Sequence, residues 1–362
     1  MSTIQTNYPI GDLFTWKVQT TAKYFAEVRS LDDLRTVCSS DEFKSSAQHY
    51  VLGRGANTLF ATRHYDGFVI QMGILGLTQV HEDADSITFR IGAGQDWHST
   101  IEALIQHYGV GGMENLAYIP GTFGAAPIQN VGAYGQTFED VFVELEAYHT
   151  KKQEIEIFGN NHAHFEYRGS YFKSREFLDT HIIVSVSVRL EKPHVHALNT
   201  SYHSNYESLK SELQGEGPFT PLEIFDAVTR LRKKKLPEIA EVGTNGSTFI
   251  NPLISGAKLK ELLVTFPQLQ YYPAQKMQYV DRAKLVINDT ETYKIAAGYI
   301  FDELGWKGKV VDGVGTWRNH ALVVCNYSAT SPEPIIAYIS AMQQDFQRAT
   351  GILIHPEINI IH

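Results

Sequence analysis

The segment of residues 121–135 constrains this chain more than any other part, because glycine and alanine surround Gln129 and Asn130 in GTFGAAPIQNVGAYG. Glycine has no Cβ atom and reaches backbone angles closed to other residues, so successive N–H groups can converge on an anion such as a diphosphate. A tight bend between buried strands would use similar residues. Taken alone, the segment therefore allows either a structural bend or a site for a large ligand.

A second glycine loop, residues 53–57, favours the ligand. It follows the apolar residues 50–52 and precedes Thr58-Leu59-Phe60, which predicts a strand, a phosphate-type loop and a short apolar return. A Rossmann fingerprint would carry a third glycine and lead directly into a helix. No long helix is predicted here, so a Rossmann domain is disfavoured. Two glycine loops instead suit a dinucleotide, which has both a diphosphate and a flat ring to enclose.

Length and composition indicate a globular protein. The 362 residues, 43% of them hydrophobic, suffice for two or three cores. No apolar stretch approaches a bilayer span and the N-terminus lacks signal-peptide features, so we expect a cytoplasmic protein without a membrane partner. The two cysteines, Cys38 and Cys325, give neither a disulfide framework nor a metal cluster. The net charge of −9 argues against nucleic-acid binding.

The order of predicted elements indicates the α+β class. A first unit has a helix capped by Ser30 and ends in the alternating residues 67–71. Strands then dominate residues 77–190, with the longest over 181–190, and a helix from the cap Asp96 to Gly109 interrupts them.

A capped helix opens the C-terminal part. Thr220, Pro221 and Glu223 form a capping box with proline at the first position, and the helix ends near Lys235. The polar residues 192–220 before it are expected to be an exposed connection, and their histidines match no zinc template, so no metal is expected. The later predicted elements are helices over 255–266 and 293–304, a strand over 321–325, a helix over 332–349 and a strand over 352–361, which would form a β-α-β unit against a mostly helical layer.

Three short segments carry reactive side chains. Arg168 lies between aromatic residues, where it could bind an anion or only pack its stem and pair with Glu166. Ser247 follows a glycine and could equally belong to a turn. Glu357 has apolar neighbours, so a functional role and a buried ion pair are both open. The absence of common hydrolase and nucleotide triphosphatase motifs leaves a dinucleotide cofactor, with an acid and a cation from the protein.

Together these motifs resemble the UDP-N-acetylenolpyruvoylglucosamine reductase (MurB) family, in order and over nearly the whole chain. The family consists of FAD enzymes that make UDP-N-acetylmuramate for bacterial peptidoglycan, and thus serves cell-wall biogenesis and cell division. The matching motifs are residues 53–57, 114–117, 119–121, 127–135, 167–168, 235–237, 246–247, 251–252, 296–298 and 356–357. The long connection before Thr220 looks like the type I branch.

The resemblance implies three domains. FAD-binding subdomain 1 would comprise residues 1–76, FAD-binding subdomain 2 residues 77–215, and a C-terminal α/β substrate-binding domain residues 216–350, followed by a strand over 351–362 that carries Glu357. The first two would form a vanillyl-alcohol-oxidase-type (PCMH) FAD-binding fold, with the PCMH-type domain at about 17–190. We expect a monomer.

The chemistry implied by the resemblance uses two cofactors, FAD and NADPH. NADPH would reduce FAD, and flavin N5 would then deliver hydride to C3 of the enolpyruvyl group of UDP-N-acetylglucosamine enolpyruvate. Ser247 matches the proton donor to C2, and Arg168 and Glu357 match the pair that stabilises the aci-carboxylate.

The resemblance also assigns binding residues. The substrate-binding residues would be Lys235, Asn251, His320 and either Tyr202 or Tyr206, of which Tyr206 is preferred because Leu209 follows at the family's distance. The FAD-binding residues would be Gly53, Arg54, Gly55, Ala56, Asn57, Thr58, Ile119, Pro120, Gly121, Thr122, Gly124, Ala125, Ala126, Ile128, Gly132, Ala133 and Tyr134. Ala125 and Ala126 stand where some relatives carry serines, so backbone N–H groups rather than side-chain hydroxyls are expected to bind the FAD diphosphate.

Two other functions stay open. The first is an FAD oxidase of the same cofactor-domain class that acts on a sugar or alcohol, reacts with oxygen and ignores NADPH. The second is a flavin- or nucleotide-binding protein without catalysis. Reduction of the flavin by NADPH would separate both from the reductase.

Overall fold

The computed structural model describes residues 3–200, 209–213, 215–274 and 286–362. Both tyrosines predicted to bind substrate, Tyr202 and Tyr206, lie outside this part of the chain. None of the helices in it combines the length and the apolar character that crossing a membrane requires.

The first region is a small four-stranded sheet with two helices. Its elements are β1 (Gln5–Pro9), β2 (Thr21–Val28), α1 (Leu31–Ser39), α2 (Asp41–Ser45), β3 (His49–Leu52), β4 (Thr58–Phe60) and β5 (His64–Met72). The strand order is β1-β2-β5-β3, and β3 runs parallel to β5. The predicted cap of α1 is confirmed, since the Ser30 side chain accepts from the N–H of Asp33. The loop of residues 53–57 leaves the sheet where β3 ends.

The second region is a five-stranded antiparallel sheet in the order β11-β10-β12-β7-β6. Its elements are β6 (Leu77–Glu82), β7 (Ser86–Gly92), α3 (Trp97–Tyr108), β8 (Gly132–Ala133), β9 (Gln136–Thr137), β10 (Phe142–His149), β11 (Glu154–Gly159), α4 (Asn160–Ala163), α5 (Arg175–Leu178) and β12 (His181–Glu191). Asp96 caps α3 and Gly109, with φ of 67°, ends it, as predicted. The strands β8 and β9 form a separate hairpin inside the glycine-rich segment.

The third region combines two small sheets with helices. Its elements are α6 (Leu209–Glu212), α7 (Pro221–Lys235), β13 (Gly243–Ser247), β14 (Leu253–Ser255), α8 (Gly256–Thr265), β15 (Tyr271–Pro273), β16 (Thr292–Ile295), α9 (Ala297–Glu303), β17 (Val310–Val311), β18 (Val314–Trp317), β19 (His320–Asn326), α10 (Glu333–Thr350) and β20 (Asn359–Ile361). The sheets have the orders β13-β19-β18-β17 and β14-β16-β15. The predicted capping box of α7 is present at Thr220 and Glu223.

Two predictions for this region are wrong. The helix predicted over residues 293–304 begins only at Ala297, because Tyr293 and Ile295 are buried alternately and β16 pairs with strands on both sides. The strand predicted over 352–361 is limited to β20, which pairs in parallel with β4 rather than with β19. The elements β19, α10 and β20 therefore form no β-α-β unit.

Two hydrophobic cores hold the regions together. One joins the helices and sheet of the first region and the whole second region to α7, whose Phe225 and Leu231 are buried in it, although the sequence groups this helix with the substrate-binding domain. The other joins N-terminal residues such as Trp16 and Phe60 to the third region, including Phe249 and Phe346. The C-terminal part of the chain thus packs against the N-terminal part, which brings motifs that are distant in the sequence close together.

Candidate active site

The two glycine loops touch each other. A Cβ atom on Gly53 would lie 2.7 Å from Oγ1 of Thr122, so only glycine allows this approach. Nδ2 of Asn57 donates to Oε1 of Gln129 at 2.7 Å. Gly55 has φ of 61° and packs closely on Phe14. A Cβ atom added to Gly55 would lie 2.4 Å from the Cα atom of Phe14. The two glycine loops that the sequence predicts to enclose one ligand are therefore in direct contact.

Backbone N–H groups of the first loop are available to an anion. In the described part of the chain, the N–H groups of Arg54, Gly55, Ala56 and Asn57 find no hydrogen-bond acceptor. Successive unpaired N–H groups in a turn form a concave donor surface that suits a diphosphate. Gly121, with φ of 149°, faces space in which an added Cβ would meet no atom within 4 Å. These donors fit the diphosphate of FAD, and the open space beside Gly121 fits another part of the dinucleotide.

Ala125 and Ala126 use their own N–H groups within a turn. Ala125 N–H donates to the Thr122 carbonyl at 3.1 Å and Ala126 N–H to the Phe123 carbonyl at 3.3 Å. The short 3₁₀ turn of Phe123–Ala125 uses these donors itself. The four unpaired N–H groups described above belong to the loop of residues 53–57.

Glu357 connects these loops to the third region. Its carbonyl oxygen accepts from Nε2 of Gln129 at 2.8 Å and from Nδ2 of Asn57 at 3.3 Å. Its own N–H donates to the carbonyl of Thr248 at 2.7 Å. Because Thr248 follows Ser247 directly, this backbone bond brings the predicted acid Glu357 and the predicted proton donor Ser247 into neighbouring positions.

Arg168 and Glu357 form the predicted pair. Nε of Arg168 lies 3.0 Å from Oε1 of Glu357, and both side chains are about one-fifth exposed, at 21% each. Nη2 of Arg168 donates to the carbonyl of Gly132 at 2.9 Å, which ties the pair to the hairpin of β8 and β9. Burial raises the pKa of Glu357 above its ordinary value, although Arg168 and Lys173 act in the opposite direction.

Ser247 lies at the end of a strand that is fixed on both sides. It ends β13 next to Gly246, whose φ is 72°, and its backbone pairs with Val323. Thr248 fixes the chain beyond it by donating its N–H to the Leu322 carbonyl at 2.8 Å. The Ser247 hydroxyl itself has no hydrogen-bond partner among the described residues and remains available to a ligand.

Hydrogen bonds fix two of the predicted substrate-binding residues of the third region, His320 and Asn251. Nδ1 of His320 accepts from the N–H of Leu322 at 3.2 Å, so its Nε2 carries the proton. Burial, with the charges of Lys235 and Lys307, lowers the pKa of His320 to about 3 and keeps the ring neutral. Oδ1 of Asn251 accepts from the N–H of Ala297 at 3.0 Å, which fixes the amide.

Two lysines at this site were missed. The ammonium of Lys294 lies 5.3 Å from the ring centre of Tyr167 and 5.4 Å from that of Tyr272, and burial, with the charge of Arg168, lowers its pKa to about 8. Nζ of Lys173 lies 3.4 Å from the carbonyl oxygen of Arg168. A strand assignment for residues 292–295 would have placed Lys294 on the face opposite Tyr293 and Ile295, but the helix prediction obscured that signal.

One cluster outside the site has ligand atoms of suitable type for a metal. Ligand atoms of His149, Glu156 and His181 lie within 4.8 Å of one another. Both carboxylate oxygens of Glu156 already have partners, because Oε1 lies 2.7 Å from Nζ of Lys152 and Oε2 lies 3.1 Å from Nε2 of His181. An ion pair accounts for this cluster, and we assign no metal to it.

Comparisons with known proteins identify the family. Residues 238–361 match the family model "UDP-N-acetylenolpyruvoylglucosamine reductase, C-terminal domain", and residues 22–155 match "FAD binding domain". The chain is 34% identical over 360 residues to the UDP-N-acetylenolpyruvoylglucosamine reductase of Amoebophilus asiaticus, covering 99% of each protein. It is 32% identical over 358 residues to that of Flavobacterium johnsoniae, again covering 99% of each.

The fold agrees with these matches. The crystal structure of UDP-N-acetylenolpyruvylglucosamine reductase (MurB) from Thermus caldophilus aligns with a TM-score of 0.64 and 18% identity, over 100% of this chain and 99% of that one. The mixed α and β architecture and the FAD-binding fold predicted from the sequence are thereby confirmed. This chain belongs to the UDP-N-acetylenolpyruvoylglucosamine reductase family of oxidoreductases.

Proposed function

We propose that this chain is an NADPH-dependent FAD enzyme that reduces UDP-N-acetylglucosamine enolpyruvate to UDP-N-acetylmuramate for peptidoglycan synthesis. The observation that carries the proposal is the convergence of Arg168, Ser247 and Glu357 beside the two glycine loops, in a member of this reductase family. FAD, when bound, would supply hydride transfer from NADPH to C3 of the enolpyruvyl group.

Residues of both glycine loops would hold FAD. The unpaired N–H groups of residues 54–57 suit the diphosphate, and the open face at Gly121 suits the rest of the dinucleotide. We retain the other predicted FAD contacts as part of this proposal. The division at residues 76, 215 and 350, the monomeric state and the cytoplasmic location also remain proposals.

Ser247 would donate the proton. Its hydroxyl lies on a fixed strand end and has no competing partner in the described chain, so it can point at C2 of the substrate. A hydroxyl is a weak acid, but the carbanion that develops at C2 is a much stronger base. The proton passes from Oγ to C2, and solvent would restore it afterwards.

Arg168 and Glu357 would stabilise the negative charge that develops on the substrate carboxylate. A planar guanidinium matches a carboxylate in charge and geometry. Burial favours the protonated form of Glu357, which can donate a hydrogen bond to the developing oxyanion. The contact with Gly132 holds the guanidinium in place before substrate binds.

Cationic and amide groups around this centre would bind the sugar nucleotide. Lys235 carries positive charge close to neutral His320, whose Nε2–H is a donor. Asn251 and Lys294 lie near Tyr167. Tyr202 or Tyr206 remains the proposed tyrosine contact, outside the described residues.

An anaerobic absorbance experiment tests the proposal. NADPH should bleach the flavin of the purified protein, and UDP-N-acetylglucosamine enolpyruvate should restore its absorbance. A flavin that NADPH does not bleach, or that only oxygen restores, would indicate the oxidase instead. A flavin that binds but is reduced by no donor would indicate a binding protein.

A further inference from the structure

A buried carboxylate lies behind the glycine-rich segment. Glu114 belongs to the 3₁₀ turn Glu114–Leu116, and its side chain has no exposed surface. Oε2 accepts from the N–H of Gly112 at 2.6 Å, and Oε1 accepts from Nε2 of Gln136 at 3.3 Å. A carboxylate without solvent needs a further positive partner, because burial alone would favour its neutral form.

His196 supplies that partner. Its Nε2 lies 2.6 Å from Oε1 of Glu114 and its Nδ1 lies 3.1 Å from Oε2 of Glu191, so each ring nitrogen faces a carboxylate oxygen. This geometry calls for a proton on both nitrogens, that is, an imidazolium. The side chain is only 6% exposed. It fits against Gly111, where an added Cβ would lie 2.2 Å from Cδ2 of His196.

The pair also shifts the titration of both groups. Burial acts to lower the pKa of His196, but hydrogen bonds and charges of Glu114 and Glu191 outweigh it and raise that pKa above its ordinary value. Burial acts to raise the pKa of Glu114, but His196 outweighs it and lowers that pKa. The ionisable groups that face the imidazole are Glu114 from the 3₁₀ turn and Glu191 from β12.

Hydrogen bonds lead from this pair to the hairpin of β8 and β9. Oε1 of Gln136 accepts from the N–H of Asn115 at 3.0 Å, while its Nε2 binds Glu114. Nδ2 of Asn115 donates to the Tyr134 carbonyl at 2.8 Å, and Nδ2 of Asn199 donates to the Gly135 carbonyl at 3.0 Å.

The hairpin needs such support. Tyr134 has φ of 48°, which a residue with a side chain adopts only when its surroundings enforce it. The carbonyl oxygen of Gly132, at the start of β8, accepts a hydrogen bond from the Arg168 guanidinium. The network therefore reaches, through the hairpin, the residue that pairs with Glu357.

We propose that His196 and Glu114 are positioning residues for the flavin, which hold the hairpin of β8 and β9 in the shape that binds FAD. This inference rests on the proposed placement of FAD at the glycine-rich segment. The charged pair acts through Gln136 and through Asn199, which lies on the same segment as His196, and it touches no reacting atom. Loss of the second imidazole proton weakens the pair, so FAD affinity falls as pH rises through the raised pKa of His196.

FAD titration of the apoprotein between pH 6 and pH 9 tests this proposal. The dissociation constant of the wild-type protein should rise with pH, whereas His196→Gln should bind about tenfold more weakly at pH 6 and show no titration, since glutamine keeps one donor but no charge. His194→Gln is the matched control, because His194 lies on the same segment with its side chain 59% exposed and faces Asp85. It should behave like wild type.

A second variant leaves the buried groups intact. Glu191→Gln removes one negative neighbour, so the midpoint of the FAD titration should move to lower pH. Equal FAD affinity and pH dependence in wild type, His196→Gln and His194→Gln would overturn the proposal. So would a lower melting temperature of the His196→Gln apoprotein with unchanged FAD affinity, since that indicates a structural role only. A wild-type chain that binds no FAD would overturn the proposed function itself, and this inference with it.

Discussion

The N–H of Glu357 donates to the carbonyl oxygen of Thr248 at 2.7 Å. Together with the bond from the Ile250 N–H to the His355 carbonyl at 3.0 Å, this bond holds Glu357 beside the proposed proton donor, because Thr248 follows Ser247 directly. Local sequence around either residue does not encode this placement.

Ser247→Ala should slow the return of flavin absorbance on addition of the sugar nucleotide by about 10²- to 10⁴-fold, the usual contribution of a proton donor. Bleaching by NADPH should keep its wild-type rate, because that step needs no proton from Ser247. Anaerobic stopped-flow absorbance measures both rates in the same sample. A variant with wild-type rates in both steps would exclude Ser247 as the donor.

Glu357→Gln should lose most activity but gain stability at neutral pH. Burial raises the pKa of Glu357, so the ionised carboxylate costs folding free energy once the pH exceeds the pKa of an unfolded glutamate, and this cost reaches its full size above the folded pKa. A neutral glutamine avoids it. Melting temperatures at pH 4, 6 and 8 should show the variant gaining on wild type as pH rises. A variant that is less stable than wild type at pH 8 would contradict the expected sign.

Arg168→Lys should reduce kcat/KM by about 10²- to 10³-fold, because an ammonium cannot contact both Glu357 and the Gly132 carbonyl as the guanidinium fork does. Arg175→Lys serves as the control, since that side chain is 92% exposed. Steady-state kinetics at saturating NADPH provide the measurement. Similar values of kcat/KM for Arg168→Lys and Arg175→Lys would exclude a catalytic role for Arg168.

Lys294 gives a pH-dependent prediction. Its pKa of about 8 means that it is charged below that pH and neutral above it, so KM for the anionic substrate should increase as pH rises through 8. Lys294→Met should have a KM about tenfold higher at pH 7 and a flatter profile, consistent with loss of one charged contact. Lys260→Met is the control, because its ammonium pairs with Asp289 at the surface. Parallel pH profiles for wild type and Lys294→Met would contradict the prediction.

Signals that act within one turn of chain were readable from the sequence. Ser30, Asp96 and Thr220 cap helices as predicted, because a cap depends only on the next three residues. The glycine loops were recognised for a similar reason. The resemblance to the family then grouped motifs whose proximity no local rule predicts.

Contacts made across long sequence separations were not readable. The sequence pattern predicts a helix at Tyr293 and Lys294 because apolar residues continue into α9, and only the pairing with β14 and β15 reveals a strand. The ion pair of His196 with Glu114 was also missed. The polar segment around His196 suggested an exposed loop, but tertiary packing leaves this side chain 6% exposed.

The pairing of β4 with β20 sets an order for assembly during synthesis. The amide of Asn57 in the first glycine loop contacts the carbonyl of Glu357 across 300 residues of sequence, and β4 takes its parallel partner from Asn359–Ile361. A nascent chain that has already emerged from the ribosome with β3, β4 and both glycine loops therefore still lacks one wall of the proposed FAD site. The first glycine loop and β4 therefore gain these contacts only after residues 357–361 have been synthesised.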